Sequence, residues 1–161
     1  MQEIQCTEVD PGSFFAGEFF ARAFNDQLPN WGHHLICVYR KSQEHFVPLT
    51  YVNFAQKENV ILVGGAVTNR RAFEYVEPVH AKQLRENGGA YFQLLKFGFK
   101  KFADRCDGYF GYTGDQRALE VDLAAGFEHT QHKHLIVNFH KPLSEAYKED
   151  LIQRIFNIGP F

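Results

Sequence analysis

Two periodicities of apolar and polar residues alternate along this chain, and the switches between them lay out its elements. Ile4 to Val9 alternates and reads as a short strand. Asp10-Pro11 then marks a helix start, with Asp10 as cap and Pro11 at the first helical position. Phe15, Ala16, Phe19, Phe20, Ala23 and Phe24 form its wide apolar face, opposite Glu18, Arg22 and Asn25. Leu28 to Gly32 stops it. Three strands follow, at 35–39, 46–54 and 60–67, separated by polar turns at hairpin distance, which predicts an antiparallel meander. Gly64-Gly65 interrupts the third of these, the mark of a bulge or of a close-approaching ligand.

The stretch from Thr68 to Leu84 carries no clear period, although Val79 to Arg85 fits a helical turn or more. Tyr91 to Ala103 is cleanly amphipathic, with Tyr91, Leu94, Leu95, Gly98 and Phe102 on one side. A short strand is predicted from Gly108 to Thr113, then a helix from Gly114-Asp115 through Ala125, ended by Gly126 in the C-cap place. Phe127 to Thr130 and His134 to Phe139 read as a closing hairpin. Ser144 caps a terminal helix carrying Tyr147, Leu151, Ile152 and Ile155, which Gly159-Pro160 halts. This order predicts one α/β (α+β) domain over residues 1–161, a mixed, mostly antiparallel sheet with helices on both faces.

Composition narrows the class of partner. The chain is 45% hydrophobic and holds 17 Phe among its 161 residues, which fits a packed core rather than disorder. A formal charge of −2 gives no broad basic footprint, so neither nucleic acid nor an anionic membrane is expected as a partner. Local positive charge gathers at Lys96, Lys100 and Lys101. Cys6, Cys37 and Cys106 lack metal-type spacing and fit structural thiols of a reducing compartment. The N-terminal residues show no leader pattern, and no apolar run reaches membrane length, so a cytoplasmic location is expected.

The stretch Arg85-Glu86-Asn87-Gly88-Gly89-Ala90 opens the amphipathic helix. Small residues at a helix N-terminus leave bare amides for an anion. The same glycines equally serve to cap a preceding short helix.

Two motifs give the chain a resemblance to the GNAT acyl-CoA N-acyltransferase superfamily. Arg85-x-x-Gly88-x-Ala90 resembles that family's pyrophosphate loop. Asp115 to Phe127, with Ala118, Gly126 and Phe127 in place, is similar to its last-helix signature. Together with element order the likeness covers roughly residues 1 to 141, leaving 144–161 as an appended helix. It implies that Arg85 to Ala90 and Asp115 face the pyrophosphate of acetyl-CoA or another acyl-CoA. It implies also that Gly64-Gly65 parts two strands to admit the pantetheine arm. An acetyl or short acyl group would then pass directly to a small-molecule amine. The chain departs from the family at Asp115, where Asn is common, and at Asp122, where Tyr commonly donates the proton to the departing thiolate.

The chemistry needs a base with pKa near 7 and an acid for the thiolate. His34, Glu77 and His80 are candidate bases, while Asp122 and Tyr112 are candidate acids. His129, His132 and His134 do not share one strand face, and no metal is expected. Two other readings stay open: a GNAT-fold acyl-CoA binder or interaction module without catalysis, and a homodimerising domain whose terminal helix covers a neighbour.

Overall fold

A computed structural model describes residues 3–161; Met1 and Gln2, part of the stretch read for a leader, lie outside the described residues. Seven strands form one sheet: β1 (Ile4–Val9), β2 (His33–Arg40), β3 (Phe46–Lys57), β4 (Val60–Thr68), β5 (Gly108–Tyr112), β6 (Glu128–His129) and β7 (Leu135–Asn138). Their spatial order is β1-β2-β3-β4-β5-β7-β6. Every neighbouring pair is antiparallel except β4 and β5. Among the described residues five α-helices cover the two faces: α1 (Gly12–Phe24), α2 (Pro78–Glu86), α3 (Ala90–Phe102), α4 (Gln116–Ala125) and α5 (Glu145–Ile158). The expected mixed, mostly antiparallel sheet with helices on both faces is therefore what the chain forms. Among the described residues no helix is long and apolar enough to cross a membrane.

Strand alternation divides the core. Leu35, Cys37, Tyr39, Val52, Phe54, Ile61 and Val63 point to one face, where Leu94, Leu95, Phe99 and Phe102 of α3 bury against them. Ile36, Val38 and Tyr51 point to the other and receive Ala16, Phe19 and Phe20 of α1. Further along that second face Val60, Phe110, Leu135 and Val137 are covered by Leu151, Ile152 and Ile155 of α5. The terminal helix thus spends its apolar stripe within its own chain. The hydroxyl of Tyr147 also donates to Asp107 Oδ2 at 2.7 Å, pinning α5 to the start of β5.

Several boundaries differ from the sequence reading, each for a local reason. Asp10 is not a helix cap: Pro11 takes the cap position in extended backbone, with no side-chain cap bond, and α1 starts at Gly12. The unclear stretch after β4 resolves into a 3-10 turn, Arg70–Tyr75, followed by α2 with Pro78 at its start. Asp115 and Ser144 do cap α4 and α5, accepting from the amides of Ala118 at 2.8 Å and Tyr147 at 3.2 Å. The expected four-residue strand after Gly126 shrinks to Glu128–His129. Phe127 is drawn into the core, and Thr130 Oγ1 donates to Leu135 O at 2.9 Å, tightening the turn.

Register also reveals a pairing that spacing did not. Cys6 stands directly opposite Cys37 on β1 and β2. A hydrogen bond from Cys37 holds the Cys6 thiol below its usual pKa against the opposing effect of burial. That hydrogen bond and burial push Cys37 upward, and Cys106 is raised by burial. Thiolate is the reactive form, so iodoacetamide at neutral pH should alkylate Cys6 before Cys37 and Cys106, as read by peptide mass spectrometry. Equal labelling of the three would contradict this ordering.

Candidate functional site: a cationic cleft where two parallel strands part

The site starts from a sheet irregularity. β4 and β5 pair from Val60↔Gly108 to Val63↔Gly111 and no further. Just beyond, β4 carries an extra residue against β3: Tyr51 pairs with Val67 and Asn53 with Gly64, so Gly65 and Ala66 together oppose Val52. Gly65 sits at φ +62, a left-handed conformation that a side chain disfavours. A Cβ there would also press on Phe20 Cε2 at 3.3 Å. Gly65→Ala should accordingly cost about 1–2 kcal/mol of stability, measurable by urea unfolding, and an unchanged midpoint would show that the bulge relaxes freely. The bulge and the end of pairing leave the β5-facing edge of β4 without a strand partner.

A cleft of about 890 Å³ opens beside the end of β4, just past this bulge. Phe19, Ala23 and Phe24 of α1 wall one side, and Ala118 and Val121 of α4 the other. The end of β4 and the following turn, Ala66 to Arg71, form the rim between them. Both sheet faces therefore reach one cleft. Arg22, Arg70, Arg71 and Arg117 also line it, against Asp115 as the one acidic side chain. Asp115 Oδ1 is occupied by the Ala118 amide. Arg22 pairs with Glu18 at 2.7 Å and reaches Asn69 Oδ1 at 3.2 Å. Among the described residues no hydrogen bond or ion pair engages Arg70, Arg71 or Arg117. Three unpaired guanidiniums around one concavity make a site suited to a polyanion.

The glycine-rich stretch does both things asked of it, on different atoms. The Asn87 amide donates to Gln83 O and Leu84 O, Gly88 to Arg85 O at 3.1 Å, and Gly89 to Leu84 O at 2.8 Å. These amides close α2, so they are not open to an anion. Of residues 85–90 the amide of Ala90 remains, which with those of Tyr91 and Phe92 forms the first turn of α3 and has no helical partner. Of these residues Tyr91 lines the cleft, and Arg85 to Ala90 do not. Gly88, at φ +93, would set a Cβ 2.5 Å from the Phe92 ring, and Ala90 is buried. Bulky replacements there would disturb the fold as well as any ligand.

The candidate acids and bases scatter. Asp122 is 4% exposed and accepts a hydrogen bond from the Tyr91 hydroxyl at 2.8 Å, joining α3 to α4. Burial raises its pKa from 3.8 to about 6, against the lowering effect of that bond. Burial and the Asp122 charge hold Tyr91 well above its ordinary value. Asp122 itself does not line the cleft, whereas Tyr91 does. Tyr112 ends β5 at the fork, its ring set edge-on to Phe161 with centroids 5.7 Å apart. His34 lies elsewhere, bonded through Nδ1 to the Tyr51 hydroxyl at 2.8 Å and lining a separate cavity of about 470 Å³. Burial lowers its pKa. His80, on α2, bonds through Nδ1 to the Tyr39 hydroxyl at 2.8 Å, and Glu77 is exposed at the α2 cap. None of these three reaches the cleft.

Sequence reasoning missed Arg70, Arg71, Arg117 and Tyr91. The signal available was Asn69-Arg70-Arg71 directly after an apolar, glycine-broken strand. No family model matches this chain, and no curated protein is significantly similar to it.

Proposed function

We propose that this chain binds an acyl-coenzyme A in the cleft at the end of β4, next to where β4 and β5 part, and passes the acyl group to an amine. The observation that carries the reading is the coincidence of two features. A parallel strand pair comes apart at a bulge, and three unpartnered arginines ring the cleft opened there. The open edge of β4 offers amides and carbonyls to an extended, amide-bearing arm, and the arginines with the first turn of α3 suit phosphates. A cleft of about 890 Å³ has room for both. When bound, the coenzyme supplies a thioester carbonyl open to attack.

The chain's own residues would orient and neutralise. Arg70, Arg71 and Arg117 hold the anionic end at the rim, where water still reaches it. Phe19 and Phe24 on α1 wall the opposite side and exclude water from an incoming amine. The Tyr112 hydroxyl is the acid-base group nearest the fork on β5. Asp122 keeps Tyr91 in place rather than delivering a proton. A near-neutral amine needs no dedicated base, which agrees with His34, His80 and Glu77 lying away from the cleft.

The commitment of Asp122 to Tyr91 also favours a second reading, binding without transfer. Release of free thiol from acetyl-CoA, followed colorimetrically over a panel of small aliphatic and aromatic amines, separates the two. Amine-dependent release supports transfer. Binding with no release above the hydrolytic background would leave the cleft a binding site only.

A further inference from the structure

The ladder between β1 and β2 brings Cys6 and Cys37 as close as opposed strand residues come. The Arg40 amide donates to Glu3 O at 2.6 Å, so Glu3 and Arg40 form a hydrogen-bonded pair where the ladder begins. Such pairs alternate with non-hydrogen-bonded ones along antiparallel strands. Ile4↔Tyr39, Gln5↔Val38 and Cys6↔Cys37 follow in unbroken register, which makes the two cysteines a non-hydrogen-bonded pair. There the Cα atoms approach to about 4.5 Å and the side chains are nearest. Disulfides span Cα separations of about 4.4–6.8 Å. Both thiols lie on the sheet face that α3 covers, in one apolar cluster.

Exposure sets an order between them. Cys37 is fully buried, while Cys6, on the edge strand β1, is only half-buried. Cys106 is no rival partner, since it lies buried before β5, four strand spacings or roughly 19 Å from β1. Its thiol donates to Phe102 O at 3.7 Å. We infer that Cys6 and Cys37 are an oxidation site, which a hydroperoxide converts into a disulfide across β1 and β2. The Cys6 thiolate attacks one oxygen of hydrogen peroxide and the O–O bond breaks. That leaves Cys6 as a sulfenic acid and releases a hydroxide, which takes up the proton the thiol gave as water. The Cys37 sulfur then attacks Cys6 Sγ; the S–S bond forms, the S–O bond breaks, and hydroxide departs with the Cys37 proton as a second water. The two thiols together lose two electrons and the peroxide gains them, so the step balances with no other reactant. The Cys6 thiol, held below its usual pKa by the hydrogen bond from Cys37, suits the first attack. Neither cysteine lines the arginine cleft, so this site does not depend on what the cleft binds.

The test exposes the reduced, folded full chain to hydrogen peroxide, then quenches, denatures and alkylates it with N-ethylmaleimide for intact-mass and peptide mass spectrometry. The chain should lose two hydrogens while staying monomeric, the Cys6 and Cys37 peptides should appear linked, and Cys106 should carry the maleimide. Dithiothreitol added after the peroxide should restore all 3 cysteines to alkylation. Cys37→Ala should stop at a Cys6 sulfenic acid that dimedone traps, and Cys6→Ser should leave Cys37 unoxidised. Wild-type Cys6 driven on to sulfinic acid with Cys37 still a thiol would overturn the inference. So would a linkage between two chains, or thiols that peroxide leaves untouched. Each of these contrary results is read on the wild-type chain, so they stand even where a variant fails to fold.

Discussion

Replacing Arg70, Arg71 and Arg117 together by alanine should weaken coenzyme A binding by on the order of a thousandfold and leave the fold nearly as stable as before. A charge-assisted hydrogen bond to phosphate contributes about 1.5–3 kcal/mol. These side chains are exposed, which favours the low end, so each removal costs roughly tenfold in affinity. No other residue leans on them, since among the described residues none of the three makes an ion pair or hydrogen bond. Surface substitutions of that kind alter stability by about 0.5 kcal/mol or less. Binding should also weaken as salt is raised in wild type, and less steeply in the triple variant. Calorimetry with coenzyme A reads the affinity, and urea unfolding reads the fold. Equal affinity in the two proteins would mean that the arginines serve something other than the phosphates.

The second large effect concerns Asp122. Its pKa is about 6 in the folded chain against 3.8 unfolded. A raised carboxylate pKa means the folded state holds its proton longer, so stability from this group is greatest at low pH and is lost as pH rises from about 4 to 6. Above that window the buried carboxylate costs roughly 3 kcal/mol, the free-energy equivalent of the gap between its folded and unfolded pKa. Asp122→Asn keeps an oxygen for the Tyr91 hydroxyl and removes the charge. It should be more stable than wild type by about 1–3 kcal/mol at pH 7 and above, the lower figure allowing for an amide nitrogen left without a partner. Near pH 4 the two proteins should converge. Tyr91→Phe should act in the opposite sense, taking the Tyr91 hydroxyl donor away from the ionised carboxylate at a cost of about 1–3 kcal/mol at neutral pH. Stability curves at three pH values decide it. An Asp122→Asn protein less stable than wild type at pH 7 would mean that the carboxylate is net stabilising where it sits.

How much of this could be read from residues alone depended on how local the cause was. The cap at Asp115, the stop at Gly126, the Ser144 cap and the amphipathic period of α3 are settled within a turn or two of chain, and the structure has them where the pattern does. The glycine break in β4 was legible as a bulge for the same reason. The stretch from Asn69 to Val76 was not, because a 3-10 turn carries little apolar period, whereas the helical turn read from Val79 to Arg85 is there as α2. Gly88-Gly89 could be read two ways, and the geometry assigns the glycine amides to the end of α2 while leaving the next turn open. Convergence was the hardest to foresee. Arg22 on α1, Arg70 and Arg71 after β4, and Arg117 on α4 meet only through sheet order and the parting of β4 from β5. The same holds for Cys6 and Cys37, which only the β1–β2 register sets side by side. His34 and His80 looked usable as bases by type alone. Their hydrogen bonds to Tyr51 and Tyr39 tie them to the sheet instead.

The central claim is that the cleft at the end of β4 is a coenzyme A site, and direct titration of acetyl-CoA into the full chain tests it most directly. The cleft geometry predicts saturable binding at one site per chain, below millimolar concentration and weakened by salt. Absence of binding with acetyl-CoA raised to millimolar levels would contradict it.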